Sequence, residues 1–233
     1  MHDLVIYGAG GLGREIAEVV RRINEQHYVW NLLGFVDDVP HSGTIWRNLE
    51  VLGDIRFIRQ FGKPLDVVLG IGAPSPKKRI YQKLKQCAHV HFPNVIDRTA
   101  QITAPARMGE GLVIFPMCFV SLNVALGHCV YLNTGAYVAH DSSIGSFGSV
   151  MPHASISGNV VIGEETLIGA GASILQGRTV GSRSTVGMGG IVIDDVPDDC
   201  VAVGNPAKPI RSPSKPNVSV NAESGGGLPC QDF

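Results

Sequence analysis

An imidazole and a carboxylate stand side by side at His140 and Asp141, within "VAHDSSIG". Imidazole titrates near neutrality, and an adjacent carboxylate orients the ring and favours its charged form; together they are equipment for general acid–base catalysis. Two further histidines, His128 and His153, lie in the same region without an adjacent acid. For any one of these residues the plain alternative is an idle surface histidine. What separates them is where the backbone puts each one.

The backbone signal is a period of six. Counting by six from Ile96 lands on an aliphatic residue at every step as far as Val192, and glycine often follows, as at Gly127, Gly145 and Gly163. Six matches neither the 3.6-residue helix nor the two-residue strand alternation. It is the hexapeptide signature of a parallel β-helix. Three six-residue sides close a triangular coil of eighteen residues, and coils stack at about 4.8 Å. With the inward aliphatic residue as position one, His128 and His140 fall at position three and His153 at position four, all on outward-facing corners. Eighteen residues on from His140 stands Gly158, which leaves room beside the ring; Asn123, Asp141 and Asn159 form a polar ladder along the same corner. A stack with open ends needs caps. The N-terminal region is expected over one end and residues 201–211 over the other.

Before the repeat, "LVIYGAGGLGREIAEVVRRI" reads as strand, glycine-rich turn and helix, with Gly8, Gly10 and Gly13 in a GxGxxG arrangement. A second strand ends in Asp37 and Asp38, a third runs into Gly72, and a helix with lysine and arginine on its outer face spans Ser75 to Gln86. This alternation predicts a small Rossmann-like α/β domain with a parallel sheet. Glycines at a helix N-terminus let backbone N–H groups approach a phosphate, and the acidic strand end lies where a ribose or base is read. About 90 residues is half of a dinucleotide fold, so a mononucleotide or nucleotide-sugar site suits the size better than NAD. A tight turn without a ligand remains the alternative.

The predicted organisation is residues 1–90 as the nucleotide-binding domain, 91–200 as the β-helix, 201–211 as a cap segment, and 212–233 as a Ser-, Pro- and Gly-rich tail without fixed structure. A net charge of −1 over 233 residues gives no bulk attraction for nucleic acid or anionic membrane. Cys87, Cys118, Cys129, Cys200 and Cys230 include no CxxC pair, as expected of free thiols in a reducing cytoplasm. Asp3 and Gly8 interrupt the early apolar run, so no signal peptide is expected, and no run approaches the ~20 residues of a membrane helix.

Six segments, "YGAGGLGREIAEV", "GFVDD", "LGIG", "LNTGAYVAHDSSIGSF", "SGNVVIGEETLIGAGASILQG" and "VGNPAKPIR", together with the hexads, make the chain resemble the PglD/NeuD group of sugar acetyltransferases. The resemblance spans Leu4 to Arg211. It implies a left-handed β-helix, a homotrimer with sites between neighbouring prisms, and acetyl-CoA as co-substrate. His140 would be the general base and Asp141 would raise its basicity; Asn133 would lie near the acceptor sugar. Gly10, Gly11, Leu12, Asp37, Asp38 and Gly72 would hold the nucleotide. Ser149, Gly158, Ala170, Met188 and Lys208 would line the CoA path, with Arg211 beside Lys208 in the tail. Leu12, Ala73 and Ser149 depart from residues common in relatives (histidine, asparagine or aspartate, and histidine respectively).

Acetyl transfer to the amino group of a nucleotide-linked amino sugar is the leading expectation. O-acetylation of sialic acid or another sugar hydroxyl, and a non-catalytic β-helix scaffold, are the alternatives. A zinc site of the kind some β-helix enzymes carry needs two histidines five apart, and Gly145 occupies that place after His140, so no metal is expected.

Overall fold

The computed structural model describes residues 1–39 and 44–211. The tail from Ser212, with Cys230, lies outside the described residues.

The chain up to His91 supplies the α/β unit. Strand β1 (His2–Tyr7) leads through the glycine turn into helix α1 (Gly11–Asn24), and β2 (Trp30–Val36) ends at the two aspartates. A short hairpin, β3 (Thr44–Trp46) and β4 (Leu49–Glu50), and helix α2 (Ile55–Gln60) follow. Then come β5 (Leu65–Leu69), α3 (Pro74–Leu84) and β6 (Val90–His91). The parallel sheet has the order β2-β1-β5-β6. Gly13 is required here: a Cβ at that position would sit 1.9 Å from the Gly8 carbonyl oxygen, so only glycine lets α1 start this close to β1.

From Val95 the chain becomes a β-helix of two-residue rungs on three faces. Face A holds Val95–Ile96, Val113–Ile114, Tyr131–Leu132, Ser149–Val150, Leu167–Ile168 and Thr185–Val186. Face B runs from Gln101–Ile102 through Tyr137–Val138 to Ile191–Val192, and face C from Arg107–Met108 through Ser143–Ile144 to Thr179–Val180. All rungs pair in parallel at a register of eighteen, for example Val113 with Tyr131 and Val120 with Val138. Inward Ile114, Leu132, Val150, Ile168 and Val186 are each fully buried. Burying one such side chain is worth roughly 1.5–3 kcal/mol, so the stack supplies the prism's stability along its whole length.

The corners explain another part of the pattern. Position four of the hexad adopts positive φ at Asn123 (58°), Asp141 (60°), His153 (56°) and Asn159 (55°). Asn and Asp tolerate that region better than other non-glycine residues, so the polar ladder is favoured by backbone as well as by chemistry.

The segment at residues 201–211 extends the prism on one face. Val201–Val203 continues face A in parallel with Thr185–Val186, and Lys208–Arg211 returns antiparallel. The expectation for the N-terminal region is corrected. The α/β unit packs on the flank of face A, through Val95, Val113, Phe115 and Tyr131, instead of over the first coil, where Met108 stays exposed. The reason is in the sequence of face A: its outward positions in the early coils are apolar, and they bury against Ile16, Val20 and Trp30.

Candidate active site

His140 sits on the corner between faces B and C. Its Nδ1 lies 2.8 Å from Asp141 Oδ2, and the Asn123 side-chain amide donates to Asp141 Oδ1 at 3.0 Å. A carboxylate can only accept, so this contact places the proton on Nδ1 and leaves a lone pair on Nε2. Among the described residues no protein group bonds to Nε2. The bonds from His140 and Asn123 hold the Asp141 carboxyl below the usual carboxylate range. Both side chains are about half exposed (52% and 45%), so the ring is held from behind and open in front.

Gly158, one coil further, is buried beneath the ring. A Cβ there would meet His140 Cε1 and Nε2 at 2.7 Å. The space that the hexad count reserved is filled by the imidazole itself. His128 differs: its ring is 6.3 Å from that of Tyr81 and its Nδ1 accepts from the Glu110 amide at 3.3 Å. His153 lies against Gly135 on the corner between faces A and B. Neither makes a side-chain hydrogen bond or ion pair with a carboxylate among the described residues; the Glu110 carboxylate lies near His128 without bonding to it.

A cavity of about 590 Å³ opens at the C-terminal ends of β1, β2 and β5. Gly10, Asp37, Asp38 and Gly72 line it together, four residues drawn from three separate strand ends. Asp37 Oδ2 accepts from the Ala9 amide at 2.8 Å, tying the acidic strand end to the glycine turn. Gly11 is open at the helix start, and Leu12 reaches within 3.6 Å of the position of a Cβ on Gly72. Burial raises the Tyr7 phenol on the floor, with Asp38 and Asp37 beside it adding to the effect. Arg79 and Lys83 of α3 also line the cavity. Sequence reasoning placed them on a solvated face; the spacing of Pro76, Arg79 and Lys83, steps of three and four residues along one helix face, was the available signal. A neighbouring cavity of about 490 Å³ shares Asp37 and Asp38 and is closed by Asp54, Arg56 and Gln60 of the α2 region.

The remaining site residues are distributed over the prism. Asn133 lies on the corner between faces A and B, its Oδ1 accepting from the Thr134 amide at 2.7 Å. Ala170 and Met188 follow on that same corner, Met188 being 75% exposed. Lys208 reaches Asp194 Oδ2 at 3.3 Å. Within one chain, therefore, Gly158 accompanies His140, whereas Asn133, Ala170 and Met188 occupy the neighbouring corner.

The assignment of Ser149 to the CoA path is corrected. Ser149 is fully buried. Its Oγ donates to the Gly72 carbonyl at 2.8 Å and accepts from Lys77 Nζ at 2.9 Å, so it joins the prism to the α/β unit and faces no groove. Lys77 also donates to the Gly148 carbonyl at 3.3 Å, and burial pushes its ammonium down to about 7. Other ties flank this one. Arg22 pairs with buried Asp97 at 3.2 Å, Lys78 with Glu165 at 2.5 Å, and the Tyr81 hydroxyl donates to Glu110 at 2.6 Å. A further cavity, of about 380 Å³, runs between Ala73 and Pro76 and the outer side of face A at Leu167 and Thr185. It shares Ala73 and Pro76 with the cavity at the glycine turn.

No helix among the described residues is long and apolar enough to cross a membrane. No group of three or more His, Cys, Asp or Glu side chains among them could hold a metal ion.

Residues 3–84 match the PglD N-terminal domain family. Over 159 residues the chain is 31% identical to a GDP-perosamine N-acetyltransferase of Escherichia coli, covering 66% of this chain and 69% of that protein. Among solved structures, PerB from Caulobacter crescentus in complex with CoA and GDP-perosamine superposes with a TM-score of 0.81 at 28% identity, covering 90% of this chain and 97% of that one. The acetyltransferase domain of PglB from Neisseria gonorrhoeae in complex with acetyl coenzyme A gives 0.82 at 31% identity, covering 90% and 99%.

Proposed function

The chain belongs to the PglD-like family of sugar acetyltransferases, and on that premise we propose that it transfers acetyl from acetyl-CoA to the amino group of a nucleotide-linked amino sugar, with His140 as general base. The observation that carries the reading is the His140–Asp141 pair, with Nδ1 held at 2.8 Å and Nε2 left open. The acceptor amine attacks the thioester carbonyl carbon. Nε2 takes the amine's proton as the C–N bond forms, the C–S bond breaks, and the imidazolium returns that proton to the CoA thiolate. The products are the acetamido sugar and CoA. Asp141 stays ionised, fixes the tautomer and stabilises the imidazolium. Asn123 holds Asp141 in turn.

The cavity at the glycine turn is read as the nucleotide site. Gly10, Gly11 and Leu12 bring backbone to the diphosphate, Arg79 and Lys83 supply positive charge, and Asp37 and Asp38 face the nucleoside. Relatives that act on or bind GDP-perosamine favour a GDP-linked amino sugar as acceptor.

The acceptor path leaves this cavity over Ala73 and Pro76 onto face A, while His140 stands on the corner between faces B and C. The CoA residues divide similarly, Gly158 on the His140 corner and Ala170 and Met188 on the next. These separations support a homotrimer in which one copy's His140 corner meets face A and the adjoining corner of its neighbour. Lys208 lies in the cap strand, where the CoA nucleotide end would emerge. A cytoplasmic location suits the two soluble substrates.

The test is thiol release from acetyl-CoA across GDP-, UDP- and dTDP-linked 4-amino sugars and free sialic acid. Turnover with a GDP-linked amino sugar is expected. Turnover confined to free sugars would replace this reading with O-acetylation, and no release with any acceptor would leave a scaffold.

A further inference from the structure

Among the described residues Lys77 is the largest buried polar side chain, 2% exposed, and it has no carboxylate partner. An ammonium in that setting is costly, and an apolar side chain would pack α3 on the prism as well or better. Packing is already supplied there by Ile80 and Leu84 of the same helix, together with Phe92, Cys129 and Phe147. What lysine does that an apolar residue cannot is direct a hydroxyl. Its Nζ donates into Ser149 Oγ at 2.9 Å, which leaves the single Ser149 proton to go to the Gly72 carbonyl at 2.8 Å. A third bond, to the Gly148 carbonyl, anchors the lysine on the prism corner.

The segment so held is the turn between β5 and α3, and it is the common wall of two cavities. Gly72 and Ala73 line the cavity at the glycine turn, and Ala73 lines the one over face A. The same turn touches the glycine-rich turn: a Cβ on Gly70 would come within 2.9 Å of Gly13 Cα.

We propose that the Lys77–Ser149–Gly72 chain is a positioning device, which fixes the wall of the nucleotide cavity against face A and so sets where the acceptor's sugar end meets the prism. This rests on the acetyltransferase reading for its functional consequence; the clamp itself rests on the contacts. Lys77 and Ser149 touch no reacting atom in this account and act through the turn.

Lys77→Met and Ser149→Ala, singly and together, test it in the full-length protein with a GDP-linked amino sugar and acetyl-CoA. The acceptor KM is expected to rise about tenfold in each single variant. The double variant is expected to lie within about twofold of either, because the two residues form one chain. The KM for acetyl-CoA and kcat should stay within about twofold. A second readout needs no turnover: exchange of the protected amides that bracket the turn, Gly70 on the Tyr7 carbonyl and position 77 on the Ala73 carbonyl, is expected to quicken about tenfold in both variants. Unchanged exchange, or equal changes in both KM values, would overturn the proposal. If the wild type acetylated no nucleotide sugar, the functional reading would fall while the exchange measurement still decided the clamp. Ser149→Ala removes one oxygen from a well-packed site, so it keeps the test open should the lysine variant fold poorly.

Discussion

The imidazole of His140 lies across Gly158 so closely that a methyl group at 158 would stand 2.7 Å from Nε2. Gly158 φ is not in the left-handed region, so alanine there strains no backbone and acts only on the ring. Gly158→Ala is expected to lower kcat at least tenfold while the melting temperature moves by no more than a few degrees. Steady-state kinetics beside a thermal melt check this.

Asp141 does two jobs that substitutions can separate. Its φ of 60° belongs to the corner, and its carboxylate belongs to the pair with His140. Asp141→Asn keeps a residue that accepts positive φ and removes the charge, so it should cut kcat roughly ten- to a hundredfold with little loss of stability. Asp141→Ala should lose similar activity and also about 1–2 kcal/mol of stability from the left-handed backbone. Urea titration separates the two. Because the carboxyl is held below its ordinary value, whatever stability it contributes is present above the unfolded-state value and is lost as pH falls through the depressed one.

Lys77 gives a pH dependence of the opposite kind. Its folded value, about 7, lies below the unfolded value of 10.5, so between those limits the unfolded chain binds more protons. Stability from this group therefore rises as pH is raised from 7 towards 10.5. The group facing it is the Cys129 thiol, which burial pushes up to about 12 and which stays protonated in that window. The stability difference between wild type and Lys77→Met should shift in favour of the wild type between pH 7 and 10. Melts at stepped pH measure it, and a constant difference would contradict the burial argument.

The proposed direct transfer uses no covalent acyl-enzyme, and the thiols agree. Burial raises Cys118 to about 11 and Cys129 to about 12, far from the thiolate character of a nucleophile. Cys129→Ala should retain activity within about threefold, and an aromatic disulfide reagent should modify either thiol only on unfolding.

Much of this architecture was legible because a β-helix repeats one local constraint. Each inward position must be aliphatic, so Ile96 to Val192 announces the coil, and counting by eighteen puts Gly158 under His140. The cavity at the glycine turn was legible for the same kind of reason, since strand ends of a parallel sheet share one edge. What escaped was long-range and side-on. Ser149 and Lys77 are 72 residues apart, and nothing local to "GSVMP" says that a domain will cover that rung. The outward apolar residues Val113 and Tyr131 were the available sign that face A is a docking surface and the end of the prism is not. The hairpin and α2 were missed because elements of two to six residues carry too little periodicity to read.

The central claim is that His140 takes the amine proton. Its most direct test is His140→Ala, assayed by thiol release with the GDP-linked amino sugar, beside calorimetric titration of acetyl-CoA and GDP. We predict a kcat reduced about 10²–10⁴-fold with both affinities within about threefold of wild type, as expected for loss of a general base. A variant that keeps kcat within threefold would contradict the assignment and leave the His140–Asp141 pair as a feature of the corner alone.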